Sequence, residues 1–113
     1  MLPSAHRLTD GPSFQRAVRT GRKAGSRTVV VHLADDPEAT HPRVGFVVSK
    51  AVGNAVVRNR VKRRLRHQAR EHIASLPGSA VLVVRALPAA ATASAAELGA
   101  DLGRCLSRVE VSR

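Results

Sequence analysis

The stretch SKAVGNAVVRNRVKRRLRHQAR, residues 49–70, is the densest cationic segment of the chain, and the rest of the fold is arranged around it. It holds eight of the nineteen lysine and arginine residues, and no acid interrupts it. Asn54 can cap the start of a helix, because its side chain accepts hydrogen bonds from free backbone N–H groups. Nothing breaks this helix until about Ser75, and Pro77-Gly78 ends it.

A helical period of about 100° per residue divides this helix into an apolar face and a cationic face. The apolar positions are Val57, Val61, Leu65, Ala69, Ile73 and Leu76. The opposite side carries one ridge, Asn59, Arg63, Arg66 and Arg70, and beside it a second row, Arg60, Arg64 and His67. Arg58 and Lys62 fall in or beside the apolar arc, so they stay hydrated only by extending along it or past the edge of the core.

The cationic face lacks the acids that would balance it if it were an ordinary solvated surface. Charge runs on helices are usually stabilised by opposite charges three or four residues away. Here neighbouring arginines repel one another in the free protein, a cost that a fold tolerates when a polyanion occupies the site. The segment therefore predicts a polyanion-binding face, in preference to a solvated helix surface.

The composition restricts the partner and the compartment. With 113 residues the chain is expected to form one domain, residues 1–113. Its net charge of +11, contributed mainly by arginine, favours structured RNA or DNA over a membrane surface. Cys105 is the single cysteine, so a disulfide within the chain is excluded and a buried structural thiol is expected. No apolar signal segment or membrane span is evident, which predicts a soluble, cytoplasmic protein.

The residues before the basic helix predict a helix and two strands. Thr9 or Asp10 can cap a first helix that ends at Gly21, with Phe14, Ala17 and Val18 on one face. The basic segment 22–27 is expected to be a connection. A strand over 28–34 follows, with Val29, Val31 and Leu33 on one side and Thr28, Val30 and His32 on the other. We expect 35–38 to form a hairpin turn and 43–49 to return as the second strand.

The residues after the basic helix predict a buried strand and a last helix. Residues 80–86, AVLVVRA, form an apolar run typical of a strand that is buried on both faces, with Arg85 as its exception. Pro88 ends it, and an alanine-rich linker leads to a capping box, Ser94-x-x-Glu97. The last helix then has an apolar stripe of Leu98, Leu102, Cys105, Leu106 and Val109. The fold class is α+β, a small α/β sandwich in the order α-β-β-(β)-α-β-α, the bracketed strand being optional.

The run KAVGNAVVRNRVKRRLR, residues 50–66, closely resembles the signature of the protein subunit of bacterial ribonuclease P. Its core is the triplet Arg58-Asn59-Arg60. The resemblance implies an α/β sandwich in which the basic helix lies in a left-handed strand–helix–strand crossover, a hand that is rare. It also implies an RNA enzyme, whose RNA subunit uses magnesium to remove the 5′ leader of precursor tRNA.

The resemblance also implies which residues bind RNA. The candidates for contact with the catalytic RNA are Lys50, Gly53, Asn54, Arg58, Asn59, Arg60, Lys62, Arg63 and Arg66. The candidates for the leader, in a cleft between the sheet and the first helix, are Phe14, Arg16, Val18 and His32. Relatives often have aromatic residues where this chain has Val18 and His32, so weaker stacking of leader bases is expected.

No constellation of catalytic or metal-binding residues is evident in the sequence. The five histidines have no metal-ligand spacing and are expected at the surface or in contact with RNA. We therefore expect no catalytic residue, no cofactor bound by the protein and magnesium needed only by the RNA. The expected partners are ribonuclease P RNA and precursor tRNA, with no protein partner and no membrane. The alternatives are a noncatalytic RNA-binding or ribosomal-type architectural protein and, with less support, a hydrolase made of protein alone.

Overall fold

The computed structural model describes residues 11–37 and 40–111, with side chains for 15–37 and 40–110. The elements are α1 (Gly11–Thr20), β1 (Arg22–Gly25), β2 (Val29–Asp35), β3 (Arg43–Val47), α2 (Ala55–Ile73), β4 (Ala80–Ala86) and α3 (Ala95–Val111), with a short 3-10 helix at Pro88–Ala91. This arrangement confirms the predicted α+β class. The proposed caps of α1, Thr9 and Asp10, lie outside the described residues.

The four strands form one sheet in the order β1-β2-β4-β3. β4 is a central strand: it pairs antiparallel with β2 and parallel with β3. It is buried at every position except Arg85, as its apolar sequence predicts. Because β3 and β4 are parallel neighbours, the chain between them must cross over the sheet, and it does so through α2. The left hand of this crossover stays a prediction.

Two predictions about the strands are wrong. Segment 22–27 is not a simple connection, because Arg22–Gly25 forms β1 and pairs antiparallel with β2. Four residues of which two are basic have too little apolar pattern to indicate a strand from sequence. The hairpin between β2 and β3 is also absent, since β4 lies between these two strands. The acid-containing turn after β2 therefore joins strands that are not neighbours in the sheet.

Helices cover both faces of the sheet. On one face α2 packs against β3, and α3 packs against β1 and β2. The main core fills this side, with Val61, Leu65 and Ala69 of α2 against the strands. On the other face Ala17 of α1 packs against Ala34, Val81 and Val83 in a smaller cluster. The predicted side-chain alternation of β2 is confirmed, because Val29, Val31 and Leu33 all point into the main core.

The last helix is fixed by its cap and by contacts with the first two strands. The predicted capping box forms: Ser94 N donates to Glu97 Oε1 over 3.0 Å, and Glu97 N donates to Ser94 Oγ over 3.1 Å. All five residues of the predicted apolar stripe are buried, including Cys105. Buried Asp101 accepts a hydrogen bond of 2.6 Å from Thr28 Oγ1, which joins α3 to the segment before β2.

Candidate nucleic-acid interface

The basic helix begins with the cap that its sequence predicts. Asn54 Oδ1 accepts a hydrogen bond of 3.0 Å from Val57 N. The backbone of Gly53, just before Asn54, lies close to the side chain of Val57. A Cβ atom on Gly53 would be only 2.9 Å from Val57 Cγ1, so a larger residue does not fit there. Gly53 and Asn54 therefore shape the turn into α2, whatever else they contact. Val56 in the first turn is 74% exposed, an unusual position for a large apolar side chain.

The ridge of α2 that faces away from the sheet is open to solvent. Asn59, Arg63 and Arg70 are exposed, and Arg66 is half-buried. The helix contains seven lysine and arginine residues and one acid, Glu71. The guanidinium groups of this ridge are thus close to one another without a compensating carboxylate between them. Such a row attracts phosphate groups, which arginine binds through two parallel N–H donors.

The two arginines of the second cationic row, Arg60 and Arg64, are less open to solvent than the ridge because they pack on the linker before α3, whereas His67 of the same row is exposed. Arg60 Nη2 donates to Ala91 O over 2.9 Å, and Arg64 Nη1 donates to Ala93 O over 3.0 Å. Both side chains are half-buried. They therefore have a structural role that the helical periodicity could not reveal, because their carbonyl partners lie about thirty residues further along the chain.

The two cations that fall near the apolar arc are held at its edge. Arg58 and Lys62 are both half-buried, as expected for side chains that extend along apolar surface. Nε of Arg58 is shielded from solvent and has no hydrogen-bond partner, and the same holds for Nε of Arg60. Lys50, before the turn into α2, is exposed. These cations extend the charged surface around the start of the helix.

The carboxylates that pair with arginine lie away from α2. Arg27 pairs with Glu97 at 3.0 Å, Arg43 pairs with Asp36 at 2.8 Å, and Arg104 pairs with Asp101. No α2 cation pairs with a carboxylate among the described residues. The positive potential of α2 is therefore not neutralised within this part of the molecule, and it decays over about 8–10 Å at physiological salt.

The leader cleft stays a prediction. A small pocket between α1 and the sheet is lined by Arg16, Ala17, Ala34, Asp35, Asp36 and Val81. Arg16 is exposed and lines this pocket, whereas Val18 is 39% exposed and does not line it. The side chain of Phe14 lies outside the described residues. Ala17 faces the sheet between these positions and is fully buried. Of the leader candidates whose side chains are described, Arg16 lines this pocket, and Val18 and His32 do not.

His32 is not at the surface, contrary to the expectation for the histidines. Its residue exposure is 2%, and neither ring nitrogen has a hydrogen-bond partner among the described residues. Burial lowers the pKa of His32 below its usual value, and the nearby charges of Arg85 and Lys23 lower this pKa further. The imidazole is therefore neutral near pH 7. The ring can reach RNA only if the group of residues around it opens.

Several exposed residues next to these sites were not predicted to be functional. Val47, at the end of β3, is 36% exposed, and Arg85 is exposed in the middle of the sheet. Arg85 was noticeable in the sequence as the polar exception in an apolar run, and Val47 had no such signal. The exposure of Val56 and the hydrogen bond of Arg64 to Ala93 O became evident only in the structure.

The described residues contain no group of three or more histidine, cysteine, aspartate or glutamate side chains placed to hold a metal ion. The helices among them are all too short or too polar to cross a bilayer. The described residues form a cationic helix on one side of the sheet and a small pocket beside α1 on the other. These features define a small α+β protein with an exposed cationic helix, a surface of the kind that attracts polyanions.

The family model for Ribonuclease P matches residues 2–110, and the chain belongs to this family. A ribonuclease P protein component from Nocardioides sp. is 70% identical over 111 residues, which cover 96% of this chain and 95% of the relative. The corresponding protein of Corynebacterium diphtheriae is 46% identical over 119 residues, with 100% of each chain covered. The family suggested by residues 50–66 is thereby confirmed.

Solved structures agree with the assignment. The RNase P protein of Staphylococcus aureus matches with a TM-score of 0.83 at 30% identity, covering 94% of this chain and 96% of that one. The RNase P protein of Thermotoga maritima matches with a TM-score of 0.75 at 21% identity, covering 93% of this chain and 96% of that one. The second likeness shows the shared fold alone.

Replacing Arg60 or Arg64 with alanine is expected to lower the free energy of unfolding by about 1 kcal/mol each, because each change removes a hydrogen bond to a linker carbonyl. Arg63→Ala is the matched control, since Arg63 is exposed on the same helix, and it should change stability by less than about 0.5 kcal/mol. Urea denaturation measures all three; equal stabilities for Arg64→Ala and Arg63→Ala would contradict the structural role.

Acidification should destabilise the fold through His32. Its folded-state pKa lies below the unfolded value of 6.5, so the unfolded chain takes up the proton first. The stability that neutral His32 contributes is complete above that value and is lost as the pH falls through and below it. His32→Leu should therefore lose less stability than the unchanged protein when urea midpoints are compared on either side of the unfolded pKa. His67→Gln, on the exposed face of α2, should behave like the unchanged protein.

Proposed function

We propose that the chain is the protein subunit of a ribonucleoprotein endonuclease, ribonuclease P, that removes the 5′ leader of precursor tRNA. The RNA subunit supplies the bond cleavage together with magnesium, and the protein binds the catalytic RNA and the leader. No side chain of the protein takes part in the chemical step. The observation that supports this proposal best is the cationic ridge of α2, which pairs with no carboxylate of the described residues, on a chain of the ribonuclease P family.

The ridge of α2 binds phosphates of the folded catalytic RNA. Its exposed guanidinium groups, those of Arg63 and Arg70, project from a rigid helix, so their spacing is set before the RNA arrives. Nη2 of Arg60 is hydrogen-bonded to the linker, which fixes the orientation of the whole guanidinium group. The other N–H donors of Arg60 therefore point in fixed directions. The proposed contacts with the catalytic RNA remain those of the signature: Lys50, Gly53, Asn54, Arg58, Asn59, Arg60, Lys62, Arg63 and Arg66.

The leader lies in the groove between α1 and the sheet, beside Phe14, Arg16, Val18 and His32. Arg16 and Val18 offer a charged and an apolar contact from α1. Buried His32 supports the floor of this groove. The partners are thus ribonuclease P RNA and precursor tRNA, which meet the protein in the cytoplasm, and no protein partner is needed.

Leader removal should require both the protein and the RNA. At low magnesium, a bacterial ribonuclease P RNA mixed with this protein is expected to cleave precursor tRNA at the mature 5′ end, because the α2 cations offset RNA repulsion that magnesium would otherwise screen. The RNA alone should be nearly inactive under the same conditions, and the protein alone should release no leader. RNA binding without any stimulation of cleavage would favour an architectural protein. Cleavage by the protein alone would indicate a protein enzyme.

The affinity for ribonuclease P RNA should fall steeply with salt. A protein that makes 6–10 phosphate contacts loses about a thousandfold to a hundred-thousandfold in affinity between 50 and 200 mM salt. Arg63→Ala should weaken binding and lower the slope of log affinity against log salt by about one. Arg27→Ala removes the same charge from an ion pair whose side chains are 60% and 54% exposed, and should leave the slope unchanged. Filter binding over a salt series gives both slopes; a flat curve for the unchanged protein would refute phosphate binding by α2.

A further inference from the structure

Val56 is the most exposed large apolar side chain in the described part of the protein. It is 74% exposed, whereas Val18 and Val47 are 39% and 36% exposed. It belongs to neither hydrophobic cluster, although Val57 beside it packs against the main core. Single valines at a surface are common and by themselves indicate nothing. The position of Val56 on α2 is what distinguishes it.

Val56 begins a line of exposed residues along α2. The exposed positions 56, 59, 63, 67 and 70 follow one another at intervals of three or four residues, so they lie along one side of the helix. The other members of this outward line are Asn59, Arg63, His67 and Arg70. Val56 is its only apolar member, and it lies in the first turn of the helix. A partner that covers the cationic ridge from Asn59 onward is therefore in position to cover Val56 as well.

The needs of folding do not explain a valine at position 56. Valine is a weaker helix former than alanine, because its branched side chain is restricted by the preceding turn. The start of α2 is already fixed by Asn54, whose Oδ1 accepts a hydrogen bond of 3.0 Å from Val57 N, and by the complete burial of Val61. Alanine at position 56 would thus serve the fold at least as well. The apolar surface of Val56 is left available for a partner.

The chemistry of RNA limits what can lie against Val56. Phosphates are bound by cations and gain nothing from a methyl group. In double-stranded RNA the major groove is too deep and narrow for side chains to read, and the shallow minor groove displays polar 2′-hydroxyls and base edges. The faces of unpaired bases, in loops, bulges and ends, are the apolar surfaces that a folded RNA offers. An unpaired base is therefore the part of an RNA that matches Val56.

We propose that Val56 packs against the face of an unpaired nucleobase of the catalytic RNA. The outward line then has two parts, because Val56 contacts a base while Arg63 and Arg70 bind phosphates further along the helix. A valine in a helix has one strongly preferred rotamer, so little conformational freedom is lost in this contact. Cations attract any RNA, whereas an apolar contact with an unpaired base selects a folded one. This inference rests on the proposed function, since that function supplies the RNA.

The test measures equilibrium binding of the protein to two RNAs over a salt series. One is a bacterial ribonuclease P RNA, and the other is a fully paired RNA duplex, which has the same kind of backbone without unpaired bases. Val56→Ala is compared with Val56→Ile, which keeps the branched apolar shape, and with Val56→Thr, which keeps the shape but replaces a methyl group by a hydroxyl group. Arg63→Ala removes a charge from the same line of the helix.

Val56→Ala is expected to weaken binding to ribonuclease P RNA about tenfold, the effect of removing two methyl groups from a buried contact. Its slope of log affinity against log salt should stay unchanged, because no charge is lost. Val56→Ile should retain the affinity, and Val56→Thr should lose part of it. All three variants should bind the duplex as the unchanged protein does. Arg63→Ala should weaken binding to both RNAs and lower both slopes by about one.

Urea denaturation separates this contact from a role in the fold. Because Val56 is exposed and alanine is the better helix former, Val56→Ala should unfold at the same or a higher urea concentration than the unchanged protein. The expected variant is therefore weaker in RNA binding and no less stable. A lower urea midpoint, together with weaker binding to both RNAs, would assign Val56 to the folding of α2 and overturn the inference.

Two further results would overturn it. Unchanged affinity of Val56→Ala for ribonuclease P RNA would show that Val56 stays in solvent in the complex. An equal loss of affinity for ribonuclease P RNA and the duplex, at unchanged stability, would indicate a contact with the ribose or the backbone and not with an unpaired base. Failure of the proposed function is a different result, in which the unchanged protein would not stimulate leader removal by the RNA.

Discussion

The parallel pairing of β3 with β4 is the constraint on which the rest of the structure depends. Parallel neighbours cannot be joined by a tight turn, so the intervening chain must cross one face of the sheet. This crossover is α2, whose apolar arc is fixed on the sheet by Val61, Leu65 and Ala69. Once this side is buried, the opposite side of the helix has to face outward. Pairing within the sheet therefore determines the direction in which the cationic ridge points.

The arginines of α2 divide into two groups because of their neighbours. Arg60 and Arg64 direct donors at backbone carbonyls of the alanine-rich linker, whereas Arg63 and Arg70 face solvent. The side chains of the linker are mostly single methyl groups, so a guanidinium group from the adjacent helix can reach the backbone carbonyls. Charge that would otherwise be only repulsive thereby contributes to the packing of α2 against the start of α3. The same sequence motif supplies both hydrogen bonds within the protein and an exposed cationic surface.

The elements with strong periodicity could be predicted from sequence, and the elements defined by distant partners could not. α2, β4 and α3 have apolar patterns and end signals that match the structure almost to the residue. β1 is too short and too basic to indicate a strand, and it exists because β2 provides an edge to pair with. The position of β4 between β2 and β3 is a property of the whole sheet that a local turn signal cannot encode.

The candidate binding surfaces could be predicted from sequence to a similar extent. The cationic ridge follows from residue spacing, since a single helix holds all of its members. The groove on the other face is built from α1 and several strands, so the burial of His32 and the exposure of Val47 depend on how these elements pack. Arg85 was visible as an exception in the sequence, but its apolar neighbours come from β2 and β3.

The contacts of α3 with the first strand have a consequence for biosynthesis. Arg22 Nε donates to Val109 O over 2.8 Å, and these residues are 87 positions apart in the chain. Arg108 reaches back to Gly25 O in a similar way. During translation the ribosome must therefore release nearly all of this sequence before β1 can acquire its final neighbours. α2 leaves the ribosome well before α3 does. The cationic helix of a nascent chain is therefore exposed before β1 has gained its contacts with α3.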